Sequence, residues 1–294
     1  MRILLIGKNG QVGWELHRSL VPLGEIVAVD YPEIDLASIT STQTVVRTVQ
    51  PDVIVNAAAY TAVDQAESQA ELAFTINGIA PGILAEEAHT IGAALIHYST
   101  DYVFDGEKGA PYTEDDTPNP INTYGESKLK GERSVQQVDG AYIILRTSWV
   151  YSLRRDCFVT KVMAWARKQR TLRIVADQTG SPSWCRILAE VTAQMLAGGI
   201  RDIRSWAEER KGLYHLAGNG SASRFEWAQA ILKFDPRRDE HVMEELLPVK
   251  TSNFPTPATR PPNTALSSER FYQVFGLIGP QWEDSLRLAM EKSS

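Results

Sequence analysis

The amino-acid sequence predicts an α/β fold built on a doubly wound parallel sheet, with a smaller C-terminal α/β domain attached. Three observations predict it. Short β-branched apolar runs alternate with longer helix-like segments, the first run ends in a glycine-rich turn, and the alternation loosens after about Trp149.

RILLI at 2–6 is apolar over too few residues for a signal peptide and reads as a buried first strand. EIVAV at 25–29, DVIVN at 52–56, ALIHY at 94–98 and YIILR at 142–146 repeat the pattern, separated by helix-length spacers as crossover-linked parallel strands require. LRIVAD at 172–177 and LYHLAG at 213–218 look like later strands. FVTKVMAWARKQR, WCRILAEVTAQMLA and FEWAQAIL read as amphipathic helices. The pattern assigns a Rossmann-type unit to 1–150 and a smaller unit to 151–294, with a stretch at about 184–218 returning to the first. The proline-rich NFPTPATRPPN at 253–263 is a loop rather than a linker, because only about thirty residues follow it.

Of the 294 residues, 43% are apolar and 22% charged, which is ordinary for a soluble globular chain and enough for one large or two unequal cores. The net charge is −6, Lys and Arg are scattered rather than striped, and no zinc-finger or RNA-recognition pattern appears, so a nucleic-acid partner is not expected. No apolar run reaches transmembrane length, which argues for a cytoplasmic protein without a membrane partner. Cys157 and Cys185 are too few for a disulfide framework, and the five histidines form no HxxxH or HxH pair to support a transition-metal site.

GKNGQVG, with Gly7, Gly10 and Gly13 around Asn9, Gln11 and Val12, follows the first strand and opens the first helix. Glycine lets a backbone approach a pyrophosphate, and a helix N-terminus offers free N–H groups and partial positive charge to it. The second strand ends in Asp30, whose carboxylate suits the hydroxyls of an adenosine ribose and leans toward NADH; one acid leaves NADPH open as well. Asp35 and Leu36 are placed to reach the adenine region, with helix capping an equal reading for Asp35. Small residues in NAAAYTAVD, including Ala59, Tyr60 and Thr61, either let the backbone pass near a cofactor or pack a helix tightly on the sheet.

The fourth strand runs into HYSTDYVFDG, which brings the Ser99 and Thr100 hydroxyls to the carboxyl edge of the sheet, where ligands bind in open α/β folds. NTYGESKLKGE then sets Tyr124 four residues before Lys128, on one face of a helix. Hydroxyl, phenol and ammonium together form a proton-handling set for a nicotinamide site.

Gly7-x-x-Gly10-x-x-Gly13, Thr100 and Tyr124-x-x-x-Lys128 resemble the extended short-chain dehydrogenase/reductase superfamily. Within it STDYVFDG, PINTYGESKLKGE, RTSWVY and DQTGSPS, in that order over most of the chain, resemble the dTDP-4-dehydrorhamnose reductase family. The resemblance implies reduction of the 4-keto group of a dTDP-sugar by NADH or NADPH, with 151–294 mainly a nucleotide-sugar domain. Carried over by motif, Tyr124 is the general acid, Lys128 lowers its pKa and binds the nicotinamide ribose, and Thr100 holds the substrate carbonyl, with Ser99 as the competing hydroxyl.

Trp149 either packs against the deoxysugar or is an ordinary core tryptophan, Asp101 and Tyr102 adjoin the site, and Tyr98 meets the cofactor. Arg260 serves the substrate diphosphate or is an exposed structural arginine. The family implies Mg²⁺ and a homodimer for some members; Glu15 and Glu190 are the metal candidates, solvated helix acids being the better reading. YSLRRDCF at 151–158 departs from the family, with Cys157 where an amide is expected. Two alternatives share the motifs. One is the cofactor-retaining epimerases and dehydratases of nucleotide sugars, although Tyr102 stands where the dehydratases place a glutamate; the other is the regulatory β subunit of methionine adenosyltransferase.

Overall fold

The computed structural model describes residues 1–291. The strands in chain order are β1 (Arg2–Ile6), β2 (Glu25–Val29), β3 (Val53–Asn56), β4 (Ala94–Thr100), β5 (Tyr142–Thr147), β6 (Val150–Tyr151), β7 (Thr171–Val175), β8 (Thr179–Gly180), β9 (Ser183–Trp184), β10 (Gly212–His215), β11 (Ala222–Ser223) and β12 (Glu245–Val249). The helices are α1 (Gln11–Ser19), α2 (Ile39–Val49), α3 (Val63–Ala66), α4 (Ala70–Phe74), α5 (Ala80–Ile91), α6 (Thr123–Gln136), α7 (Phe158–Ala166), α8 (Cys185–Ala197), α9 (Ile203–Glu209), α10 (Arg224–Phe234), α11 (Glu269–Phe275) and α12 (Trp282–Met290).

Six strands form one parallel sheet in the order β2-β1-β3-β4-β5-β10. The chain leaves β1 toward β2 on one side and continues with β3 on the other, so the strand order reverses there and a crevice opens beyond the carboxyl ends of β1 and β3. Both faces of the sheet are covered. Ile3 and Leu5 pack with Leu16 of α1 and Leu20 just after it, Leu188 and Leu196 of α8 and Ile203 of α9, whereas Leu4 and Ile6 pack with Val46 of α2, Leu84 of α5 and Val135 of α6. Alternate residues of a strand point to opposite faces, so a strand buried on both sides is read as a continuous apolar run.

A second lobe has its own core of Tyr151, Val159, Val162, Ile174, Trp227, Ile231, Trp282 and Leu286. It contains the pairs β6 with β9 and β7 with β12, both parallel, and β8 with β11, antiparallel. The strand read at 172–177 is thus present but stands outside the main sheet, while β10 joins it. β12 escapes the sequence reading because ELLPV carries Pro248 and leaves much of its length exposed, as an edge strand can. Among the described residues no helix is long and apolar enough to cross a membrane.

Candidate active site

The carboxyl ends of β1, β3, β4 and β5 and the facing second lobe enclose a cavity of about 810 Å³, within the size range of cofactor and ligand sites. One half of it is shaped by the glycine turn. Gly7 has φ +91°, and a Cβ there would stand 2.7 Å from the Ala58 nitrogen. A Cβ on Gly13 would collide with the Gly7 carbonyl, so these two glycines let α1 start close under the crevice. Gly10 is the N-cap of α1 and no side chain caps that end, which leaves the first N–H groups directed at the cavity. Asp30 accepts the Asn9 N–H at 2.9 Å and its own neighbour's, Tyr31, at 2.9 Å, bracing the loop from β2.

Glu33 accepts the Asp30 N–H at 3.0 Å and pairs with Lys8 at 2.6 Å, so a second carboxylate and a lysine stand beside the cavity-lining Asp30. Two buried polar atoms on the cavity wall, Gln11 Oε1 and Thr147 Oγ1, have no hydrogen-bond partner in the protein. A glycine cradle, uncapped N–H groups and unpaired polar atoms suit a dinucleotide.

The chemistry is set by α6 and β4. Asn122 caps α6 by accepting the Gly125 N–H at 2.8 Å, and its amide donates to Thr259 O at 2.9 Å. Glu67 accepts both the N–H and the hydroxyl of Thr123, placing a carboxylate at the positive end of the helix. A Cβ on Gly125 would collide with the Tyr102 carbonyl; this close approach sets the Tyr124 ring edge-on to Tyr102, centroids 5.8 Å apart. Lys128 follows one turn later. It is 2% exposed and donates one hydrogen bond, to Tyr98 O at 2.7 Å.

Burial pulls the Lys128 pKa from its ordinary 10.5 down to about 8, against the field of Glu132. Burial also pushes the Tyr124 pKa well up; Thr100 beside it opposes this, while Asp101 and Tyr102 add to it. Lys128 is not among the groups that shift the phenol, whose pKa burial dominates.

Thr100 donates to Asp101 at 3.1 Å and accepts the Tyr102 N–H at 3.2 Å. Asp101 is 3% exposed and also accepts from Ser148 at 2.7 Å and from Thr264. Burial raises its pKa, the three hydroxyls and Arg224 working the other way. Ser99, the competing hydroxyl, donates instead to Glu132 at 2.5 Å, and Glu132 is doubly bound by Arg146 at 2.7 and 2.8 Å. The Tyr98 hydroxyl pairs with Thr192 at 2.6 Å, so the part of Tyr98 turned to Lys128 is its carbonyl.

The facing wall comes from the second lobe. Trp149, at φ +40°, lies against Trp227 with centroids 5.5 Å apart, and the Arg224 guanidinium sits 3.7 Å from its ring centroid. Among the described residues Arg224 has no carboxylate partner at ion-pair distance; burial lowers its pKa, with Tyr102 and Asp101 working the other way. An arginine on a cavity wall whose nearest carboxylate, Asp101, acts only from a distance can take an anion. The sequence reading missed Arg224, because its segment carries no motif and only the fold turns it inward.

Gly7, Asn9, Gly10, Gln11, Val12, Asp30, Ala59, Thr61, Tyr98, Thr100, Asp101, Tyr124, Lys128 and Trp149 all line the cavity; Gly13 stands behind the loop. Tyr60 lies beside the lining, held by Asn77 through both its N–H and its carbonyl. Asp35 and Leu36 are outside the lining, and the cap of α2 is Ser38 rather than Asp35, whose carboxylate accepts the Ala37 N–H. Arg260 is bound to Asp64 at 2.8 Å and does not reach the cavity wall. Glu190 is paired with Arg186 at 2.9 Å, and Glu15 also raises the pKa of that arginine. Among the described residues no group of three or more His, Cys, Asp and Glu gathers as a metal site.

The model of the family described as RmlD substrate binding domain matches residues 1–294. A dTDP-4-dehydrorhamnose reductase of Burkholderia thailandensis is 41% identical over 293 residues, covering 99% of this chain and 98% of that protein. The crystal structure of a dTDP-4-dehydrorhamnose reductase from Clostridium acetobutylicum superposes with a TM-score of 0.89 at 33% identity, over 99% of this chain and 98% of the other. That of the Bacillus anthracis enzyme in complex with NADP gives 0.86 at 34% identity, over 98% and 97%.

Proposed function

Since the chain belongs to the RmlD substrate binding domain family, whose relatives named above are dTDP-4-dehydrorhamnose reductases, we propose that it reduces the 4-keto group of dTDP-4-dehydro-L-rhamnose to give dTDP-L-rhamnose. The observation that carries this reading is the grouping of Thr100, Tyr124 and Lys128 on one floor of the cavity, between the glycine loop and the Trp149–Arg224 wall. An NADP-bound relative and the uncapped glycine turn support NADH or NADPH as cofactor.

When bound, the dihydronicotinamide supplies the hydride. Tyr124, protonated at neutral pH, donates its proton to the carbonyl oxygen as negative charge develops there. Thr100 orients that oxygen. Its hydroxyl can turn from Asp101 toward the substrate at small cost, since Ser148 and Thr264 still satisfy the carboxylate. Lys128 spends one N–H on Tyr98 O, and the other two are available to ribose hydroxyls. Trp149 offers an aromatic plane to the methyl-bearing face of the deoxysugar. Arg224, stacked on that plane, keeps its N–H edge for the substrate diphosphate, a role the site supports better than it does for Arg260.

In this reading residues 1–150 with the returning stretch 184–218 hold the cofactor, supported by α8 packing beside α1 and by β10 in the main sheet, and the second lobe holds the nucleotide sugar in a cytoplasmic enzyme. A Mg²⁺ ion at Glu15 and Glu190 would have to displace Arg186, and light scattering with and without Mg²⁺ tests the implied homodimer.

The test is loss of nicotinamide absorbance when the protein is mixed with NADH or NADPH and freshly generated dTDP-4-dehydro-L-rhamnose, with dTDP-glucose as control. Oxidation with the keto sugar alone is expected and ranks the two cofactors. No oxidation, with cofactor copurifying or with a stable hetero-complex, would transfer the protein to the epimerases or to the regulatory subunits. Tyr124→Phe is expected to lower turnover by about 10²-fold or more while cofactor affinity stays near wild type.

A further inference from the structure

The segment 152–157, where the sequence departs from its family, forms a strap from the second lobe across the cleft. Beside the main cavity lies a smaller one of about 330 Å³, lined by Asn9, Gly10, Gln11, Trp14, Ser152, Arg154 and Arg155. Asn9, Gly10, Gln11 and Arg155 line both cavities, so Arg155 faces the glycine loop at the junction. The Arg154 guanidinium lies 3.1 Å from the Trp14 ring centroid and that of Arg18 lies 3.5 Å away. Two guanidinium groups that close to one centroid must occupy opposite faces, so Trp14 of α1 is sandwiched and the strap is pinned to the cofactor unit.

The strap is also tied at its ends. Buried Ser152 accepts the Arg154 N–H at 3.2 Å, and the Cys157 N–H donates to Thr160 Oγ1 at 2.9 Å at the start of α7. Asp156, which also lines the main cavity, pairs with Lys161 at 3.4 Å, and among the described residues Arg155 has no carboxylate at ion-pair distance. Arg155 is exposed, has no ion pair of its own and lines the same cavity as the uncapped N–H groups, which places a second set of donors beside any anion bound there.

We propose that Arg155 is a diphosphate clamp, closing on the pyrophosphate of the dinucleotide cofactor from the side opposite the glycine loop while Arg154 anchors the strap on Trp14. The inference rests on the reading of this cleft as a nicotinamide dinucleotide site, and it makes the cofactor a bridge between the two lobes. A guanidinium matches two phosphate oxygens at once, so a lysine at the same position replaces only part of the contact.

Equilibrium binding of NADPH, ADP-ribose and dTDP to the wild-type protein, Arg155→Ala and Arg155→Lys tests it, with circular dichroism to confirm folding. Arg155→Ala is expected to weaken NADPH and ADP-ribose by about tenfold to a hundredfold and to leave dTDP within about twofold, with Arg155→Lys intermediate. Trp14→Leu, which frees Arg154, should weaken NADPH in the same direction by less. Unchanged affinity for NADPH and ADP-ribose in Arg155→Ala overturns the clamp alone. Loss of dTDP affinity with ADP-ribose unchanged assigns Arg155 to the substrate diphosphate and overturns the cofactor role. A wild-type protein that binds neither NADPH nor ADP-ribose removes the dinucleotide reading and the clamp together.

Discussion

Lys128 shows how burial sets the working range of the site. Its ammonium, with one carbonyl acceptor, has its pKa pulled to about 8 by desolvation, so it is charged at neutral pH and is lost over the next units of pH. We expect kcat/KM for the keto sugar to be level below that value and to fall by about tenfold per pH unit above it. Stability moves the other way. The folded pKa lies below the unfolded 10.5, so the unfolded chain binds more protons between the two values, and this group's contribution to stability rises with pH across that window. A fall in rate above about pH 8 with no matching fall in Tm is the expected signature, and a level rate profile there removes Lys128 from the rate-limiting chemistry. His215 illustrates the contrary choice. Buried and beside Arg146, with Nδ1 on Tyr112 O, it has its pKa lowered to about 3 and stays neutral through the physiological range. Tyr124, Lys128 and Thr100 were legible because each sits in a short motif on an element whose geometry is local. Arg224, Ser148 and Thr264 were not, since three separate segments bring them to the site. The pairing of Arg260 with Asp64, 196 residues apart, has no local signature either.

The short elements joining the two lobes hold the Trp149 wall of the cavity in place. A Cβ on Gly180, the last residue of β8, would collide with the Trp149 indole, which is already confined by Arg224 and Trp227. Gly180→Ala must displace the ring, at a cost of about 1–3 kcal/mol in stability from overpacking. We expect KM for the nucleotide sugar to rise severalfold while cofactor affinity stays near wild type; an unchanged KM would make Trp149 a core residue and not a sugar platform. At this scale the main-sheet strands could be read closely, because double burial makes them continuous β-branched runs. β6, β8, β9 and β11 could not: a strand of two residues has no periodicity to detect, and it exists only because its partner segment is folded beside it.

Over the whole molecule the two cores are interleaved along the chain. The sheet face carrying Ile3, Leu5 and Ile143 is closed by Leu188, Leu196, Ile203 and Phe271, all later than the first strands of the second lobe, whose core in turn takes Tyr151, Trp227 and Leu286 from both sides of that stretch. Residues 1–150 alone would leave much of that face uncovered. The fragment is expected to be insoluble or molten, and a cooperative near-ultraviolet melting transition from it would show that the first lobe closes without the later helices.

The same interleaving governs how such a protein can be inherited and rebuilt. A second lobe whose chain returns to the sheet through α8, α9, β10 and again through α11 is no cassette that a single crossover could exchange between relatives. Changes of ligand preference in this architecture are accessible mainly by point changes on the cavity wall, at positions such as Trp149 and Arg224. An engineer swapping lobes would have to splice at several joints at once, each inside a buried core.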